Sequence, residues 1–484
     1  MNTRARMVLY TAIVLIAAPF AVAEDASNRE AQLADLVQRL EGRLEQVERE
    51  LSELKAQQQA SAPSVSAAPP ATTADPTAPP KSLPLDAPQP LEVYWRDGLE
   101  LKSADGAFSI RVGGRIQLDT AFFDEDADWA RLGAEYPEYG LADEQDGLEF
   151  RRSRLSVGGT IYRDLAFRAE YDFAADSPGN DGGRFADVFL ELKNLPYIGS
   201  LRIGHYQEPF TLEEVISNRY TTYLERGLTN VFAPSFNVGA MARNSLLDER
   251  MTWTLGLFKT TDDWPSENDS SEQDGYAVTG RVTGLPWKSE DGRRYLHLGA
   301  SATRRNPDGP FRYRSRPEAH LAQAYLDTGT LETSSLLAYG GEALLVYGPA
   351  SLQAEYVRSE LDVQDIGERH FDGYYVSGSW FLTGESRPYL ASDGAPTRLR
   401  PKHPFSLRDE TKGWGAWEVA LRYSALDLND GPVRGGEMED WTIALNWYLN
   451  ANTRIMLNYI LAHPENELND GDVEILQTRF QVDF

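Results

Sequence analysis

Cysteine is absent from all 484 residues. In an exported chain this removes disulfide frameworks, thiolate catalysis and cysteine-based metal sites together. Histidine is also sparse: six residues, none at metal-ligand spacing, so no metal and no cofactor is expected. Beyond the extreme N-terminus there is no long apolar run, and mean hydropathy is negative, which excludes a helical membrane protein. Basic side chains are outnumbered, 47 Lys and Arg against 74 Asp and Glu, for a net charge of −27. That balance speaks against nucleic-acid binding. The acidic excess sits mostly in predicted loops such as 124–128, 262–274 and 362–368, and it does not define the charge of an interior.

What is present divides the chain into four parts. Arg4 and Arg6 precede an apolar run over 7–18, and Ala21-Val22-Ala23 comes just before Glu24. A charged start, a short apolar core and an A-x-A site predict a cleaved signal over 1–23. The alternative, a membrane anchor, needs about 20 apolar helical residues. Over 24–59, Leu33, Leu40, Val47 and Leu54 fill one heptad position and Val37, Leu44 and Leu51 the other. This predicts a short periplasmic coiled coil, because a solitary helix would leave that leucine seam wet. Residues 60–91, rich in Ala, Pro, Ser and Thr, read as an extended linker.

From 92 to 484 the period becomes two. Ile110, Val112, Ile116 and Leu118 alternate with Arg111, Arg115, Gln117 and Asp119. Phe167, Ala169, Tyr171 and Phe173 alternate with Arg168, Glu170 and Asp172, and Trp441, Ile443, Leu445 and Trp447 with Thr442 and Asn446. Repeated amphipathic strands with aromatic ends predict an all-β fold, a transmembrane antiparallel β-barrel with lipid outside and a polar lumen. About 24 residues per strand and connection gives about sixteen strands, an even number as such barrels require. At the C-terminus Phe480, Val482 and Phe484 alternate with Arg479, Gln481 and Asp483. That terminal aromatic strand is the expected signal to the barrel assembly machinery.

Several stretches resemble the phosphate-selective porin O/P family. They are the strand from Ile110 to Asp119, Phe150-Arg151-Arg152-Ser153-Arg154-Leu155, and Gly204-His205-Tyr206-Gln207-Glu208-Pro209-Phe210 continuing to Tyr223-Leu224-Glu225-Arg226. Trp380-Phe381-Leu382-Thr383-Gly384-Glu385 and Gly413-Trp414-Gly415-Ala416-Trp417-Glu418 complete the set, in family order. The resemblance implies a sixteen-stranded homotrimeric barrel in the outer membrane of a Gram-negative bacterium, leading anions such as phosphate along lumen arginines. The matching positions on predicted lumen faces are Arg111, Arg115, Arg152, Arg154, Arg168, Arg202, Arg422, Arg454 and Arg479. A row of guanidiniums offers bidentate donors to phosphate or carboxylate.

Two departures lower the expected phosphate selectivity. Barrel lysines are few and lie near turns, and Gln207 stands where relatives often carry Lys. Asp119, Glu170, Asp172, Glu355 and Glu418 fall on the same predicted face as the arginines, so each arginine has an alternative role as a brace. The leading expectation is passive diffusion of small hydrophilic solutes, with a weakly selective or cation-preferring porin as its rival. A second class of function is tethering, in which the coiled coil contacts peptidoglycan; assistance to trimerisation is the simpler role. An enzyme is not expected, because no histidine has a nucleophile motif beside it. An energy-coupled transporter is not expected either, because the N-terminus offers only a coil and a linker. The long loops 121–147, 259–279 and 385–413 are left with two options, folding inward or capping the outer mouth.

Overall fold

The computed structural model describes residues 90–484, except 96, 127–143, 175–182, 260–274, 308, 409–412 and 468–469. The predicted signal, the coiled coil and nearly all of the linker lie outside the described residues. Among the described residues no helix is long and apolar enough to cross a membrane. Strands take that role.

Nineteen strands share one sheet. Two of them form an N-terminal hairpin, Leu91–Trp95 and Leu99–Ser103, and one is the short Gly309–Phe311. The other sixteen run β1 Ser109–Glu125, β2 Gly147–Ile161, β3 Leu165–Asp172, β4 Arg184–Leu195, β5 Gly199–Gln207, β6 Phe236–Leu246, β7 Met251–Lys259 and β8 Tyr276–Lys288. They continue as β9 Arg294–Arg305, β10 Leu331–Tyr347, β11 Ala350–Val363, β12 Gly367–Phe381, β13 Ala416–Asp430, β14 Val433–Tyr448, β15 Thr453–Glu465 and β16 Val473–Asp483. Each pairs antiparallel with its neighbours in sequence, and β16 pairs with β1 from Val473↔Glu125 to Asp483↔Arg115. The barrel is therefore closed and leaves no open sheet edge in the wall.

Alternation decides which side chains meet lipid. Ile110, Ile116, Leu155, Val157, Leu421, Trp441 and Ile443 are exposed on the outer wall, while Arg115, Gln117, Asp119, Arg422 and Thr442 are buried inside. Trp287, Tyr347 and Trp380 ring the outside at the end that holds both ends of the barrel, and Phe122 and Tyr276 stand at the other end. Two aromatic belts suit two lipid–water interfaces. Residues 92–108, expected within the barrel, lie outside the sixteen strands: the hairpin pairs onto β1 through Leu99↔Val112 and Leu101↔Ile110.

Candidate functional site in the barrel lumen

A charge inside a barrel wall must be paired or solvated. The expected arginines all face the lumen, and most are paired. Glu170 accepts from Arg115, Arg154 (3.0 Å) and Arg168, and Asp172 accepts from Arg154 at 2.6 Å. Arg202 binds Glu191 at 2.7 Å. Arg479 makes two bonds to Asp119, 2.7 and 2.6 Å. Arg111 stands exposed near the mouth.

The arginines' other partners come from a segment that no strand pattern announces. Between β5 and β6, residues 208–235 fold into the lumen and carry a short helix α1, Leu212–Val215. Arg422 reaches Glu213 (3.2 Å) and the Glu225 carbonyl (3.2 Å), Arg454 the Thr221 carbonyl (2.6 Å), and Arg479 the Leu224 carbonyl (2.6 Å) and Glu225 (2.8 Å). Glu355 accepts the backbone N–H groups of Leu212 and Glu213 at 2.9 and 2.8 Å, two donors a helix start leaves unsatisfied. At the root of the segment Glu208 binds Arg305 (2.9 Å) and Asn237 (2.8 Å). Burial alone would push the Glu225 carboxyl up; the guanidiniums of Arg151 and Arg479 outweigh it and hold the group well below the usual range.

Two further segments enter the lumen. Residues 306–330, at the same end as 208–235, bring Glu318 to Arg422, Ser424 and Thr442. Ala319, Ala322 and Tyr325 there pack on Ala121, Ile460 and Ile475. Residues 382–415 enter from the opposite end, the one that holds the hairpin and Phe484, because an even number of strands precedes them. Of the two options for 385–413, residues 387–399 take the inward one, from that end. Arg387 of this segment binds Glu418 at 2.7 Å. Arg281 holds the Gly394 carbonyl at 2.8 Å, and His297 Nδ1 lies 2.7 Å from the Tyr389 hydroxyl.

Among the described residues, three of the cavities between these segments and the wall are large. Near the open end of β2 a cavity of about 420 Å³ is lined by five arginines and two carboxylates. A central cavity of about 370 Å³ carries seven arginines against four carboxylates. It shares Arg168, Arg202, Arg219 and Arg243 with a third, of about 610 Å³ at the terminal end, where seven arginines and Lys193 face three side-chain carboxylates. The walls of these three cavities thus carry an excess of cations inside a strongly anionic chain. Among the described residues no three His or carboxylate side chains are arranged to hold a metal ion.

Arg152 and Arg219, like Arg454, have no carboxylate oxygen at hydrogen-bond distance. Arg152 hydrogen-bonds only the Gln117 amide oxygen, at 3.0 Å, and opens on the first cavity. Arg219 lies 3.8 Å from Glu170 and 3.9 Å from Asp483, and its Nε and one terminal nitrogen have no hydrogen-bond partner. Neither Arg219 nor Arg151 is among the arginines read from strand faces. Arg219 lies on the inserted segment. Arg151 is turned inward by a bulge, for the pairing slips between Gln117↔Arg152 and Leu118↔Phe150. The extra residue lets both Arg151 and Arg152 face the lumen while Phe150 faces lipid. The doubled Arg before an apolar strand was the available signal.

The model of the family described as phosphate-selective porin O and P matches residues 111–484. The chain belongs to that family. It is 26% identical over 431 residues to Porin O of Pseudomonas aeruginosa, covering 81% of this chain and 92% of that one. It is also 28% identical over 491 residues to a Caulobacter vibrioides protein named only as uncharacterized, covering 96% of this chain and 92% of that one. Among solved structures, the anion-selective porin from Comamonas acidovorans aligns with a TM-score of 0.47 and 13% identity, over 78% of this chain and all of its own. The trimer form of OmpT from Vibrio cholerae aligns with a TM-score of 0.48 and 12% identity, over the same shares. With family and barrel together, this chain is an outer-membrane porin, a channel with its wall in lipid and a charged lumen.

Proposed function

We propose that the pore passes small hydrophilic solutes passively and leans toward anions such as phosphate. The observation that carries this reading is the arginine surplus of the cavity walls, in which Arg152 is hydrogen-bonded only to Gln117 and Arg219 meets carboxylates no closer than 3.8 Å. A phosphate oxygen in these cavities would meet guanidinium N–H donors in a confined aqueous space, where such contacts are stronger than in bulk water. Arg115, Arg154, Arg168, Arg422 and Arg479 act mainly as braces, since carboxylates or carbonyls occupy their donors. Arg111 and Arg202 line the terminal-end cavity, and Arg454 holds the inserted segment. Asp119, Glu170, Asp172, Glu355 and Glu418 are the braces' counterparts. So few free cations imply modest selectivity.

The assembly belongs to the same proposal. Three copies stand in the outer membrane, with the terminal end toward the periplasm and the coiled coil assisting their association. Phe480 and Val482 on the lipid face and the terminal Phe484 present the assembly signal. Contact of the coil with peptidoglycan is an added role.

Planar bilayers test the solute reading. Across a KCl gradient the reversal potential should lie on the chloride side, and added phosphate should reduce the current. A potassium-side potential with no phosphate effect would overturn anion preference and leave a general, cation-preferring pore.

A further inference from the structure

The N-terminal hairpin continues both faces of the barrel wall beyond the point where β16 stops. Phe484 exchanges backbone hydrogen bonds with Gly114, 3.0 and 2.7 Å, and one pair further on Val112 takes Leu99 of the hairpin as its neighbour. Directly opposed residues on paired strands share a face. The rows Trp95–Leu99–Val112 and Val93–Leu101–Ile110 therefore lie on one face, the face that Ile110 and Val157 present to lipid. The rows Tyr94–Glu100–Arg111 and Glu92–Lys102–Ser109 lie on the other, and Glu100, Ser109 and Arg111 line the terminal-end cavity. The hairpin is sided by the barrel itself, apolar outward and polar inward.

Its outer row is highly exposed, Val93 at 66% and Trp95 at 69%. We infer that this row docks in the inner leaflet of the outer membrane, at the boundary of acyl chains and headgroups. Continuity with the lipid-facing wall supports that occupant. So does the position of Trp95 at the end of the barrel where Trp287 and Trp380 form the aromatic belt. Indole combines an apolar body with an N–H donor and suits that boundary.

The lack of native cysteine makes the test direct. Val93→Cys and Leu91→Cys place a thiol on the apolar face, and Glu92→Cys and Lys102→Cys on the polar face. Each full-length variant is labelled with a small fluorophore and refolded into phosphatidylcholine vesicles. Brominated lipid should quench positions 91 and 93 severalfold more than 92 and 102, and aqueous iodide should reverse that order. Equal lipid quenching on the two faces, or iodide quenching strongest at 91 and 93, overturns the inference. So does a disulfide between protomers at position 93, which would make a second copy the occupant. Unchanged conductance certifies the folded barrel, so a hairpin that fails to meet lipid is separable from a pore of different selectivity. A variant that fails to conduct is replaced by its partner on the same face.

Discussion

Arg479 and Asp119 stand directly opposite one another where the last strand meets the first, joined by two guanidinium–carboxylate bonds of 2.7 and 2.6 Å. The same guanidinium also holds Glu225 at 2.8 Å and the Leu224 carbonyl at 2.6 Å. One side chain therefore both closes the barrel and seats the inserted segment. Removing one partner of a buried pair costs about 3–5 kcal/mol, because the other charge is left uncompensated. Arg479→Met should lower the urea midpoint of the folded barrel in lipid. The double variant with Asp119→Leu should recover part of the loss. A single variant as stable as the parent would show that water replaces the pair.

Charge in the lumen should set ion preference with little change in stability. Arg152→Ala removes a guanidinium whose only hydrogen bond is to Gln117. The reversal potential in a KCl gradient should move toward potassium, and phosphate should block less. Arg168→Ala, whose guanidinium is already engaged by Glu170 and Asp187, should move it less. Equal shifts would mean that net lumen charge matters and free donors do not.

The segment 382–415 should narrow the terminal end. Arg281 ties its turn through the carbonyls of Asp393 (3.2 Å) and Gly394 (2.8 Å), and also pairs with Glu342 at 2.6 Å. In Arg281→Ala the turn loses both anchors, so single-channel conductance should rise and become noisier. Conductance indistinguishable from the parent would show that His297, Tyr389 and Arg387 suffice to hold it.

Glu144, where the chain approaches β2, is pushed up to about 7, first by burial and then by Glu125 nearby. It accepts the Gln323 backbone N–H at 2.7 Å and the Tyr325 hydroxyl at 3.3 Å, docking the segment 306–330. Because its folded pKa lies above the unfolded value of 4.5, the docked form holds a proton that the free chain releases between those values. Docking should be strongest at pH 4.5 and below, and weaken until about pH 7. Hydrogen exchange over residues 318–326 should therefore quicken from pH 5 to 7 after correction for intrinsic rates, and Glu144→Gln should flatten the trend. An unchanged trend in that variant would assign it to another group.

Gly114 leaves room for the C-terminus. A Cβ there would lie 2.6 Å from the Arg154 carbonyl oxygen and 2.9 Å from the Phe484 ring. Gly114→Val should reduce the yield of folded, heat-modifiable barrel while the chain is still exported. A normal yield would mean that Phe484 can swing away without harm to closure.

The barrel was legible in the sequence because its cause is local. A strand in a wall between lipid and water alternates residue by residue, so Ile116, Arg115 and Gln117 declare their faces without knowledge of the rest. The family motifs and the alternation together also placed nine arginines on the inner face. What those arginines touch was not legible. Arg422, Arg454 and Arg479 are engaged by residues 197 to 255 positions away in sequence, on a segment with no periodic pattern. Arg151 escaped notice because one bulge reverses the alternation there. The end of the barrel from which 382–415 enters follows from the number of strands before it, a property of the whole chain. Local chemistry by itself thus determined the wall and its two faces. Only the tertiary structure decided which arginines meet carboxylates and which meet carbonyls or amides, because a guanidinium's partners depend on what the folded chain brings beside it.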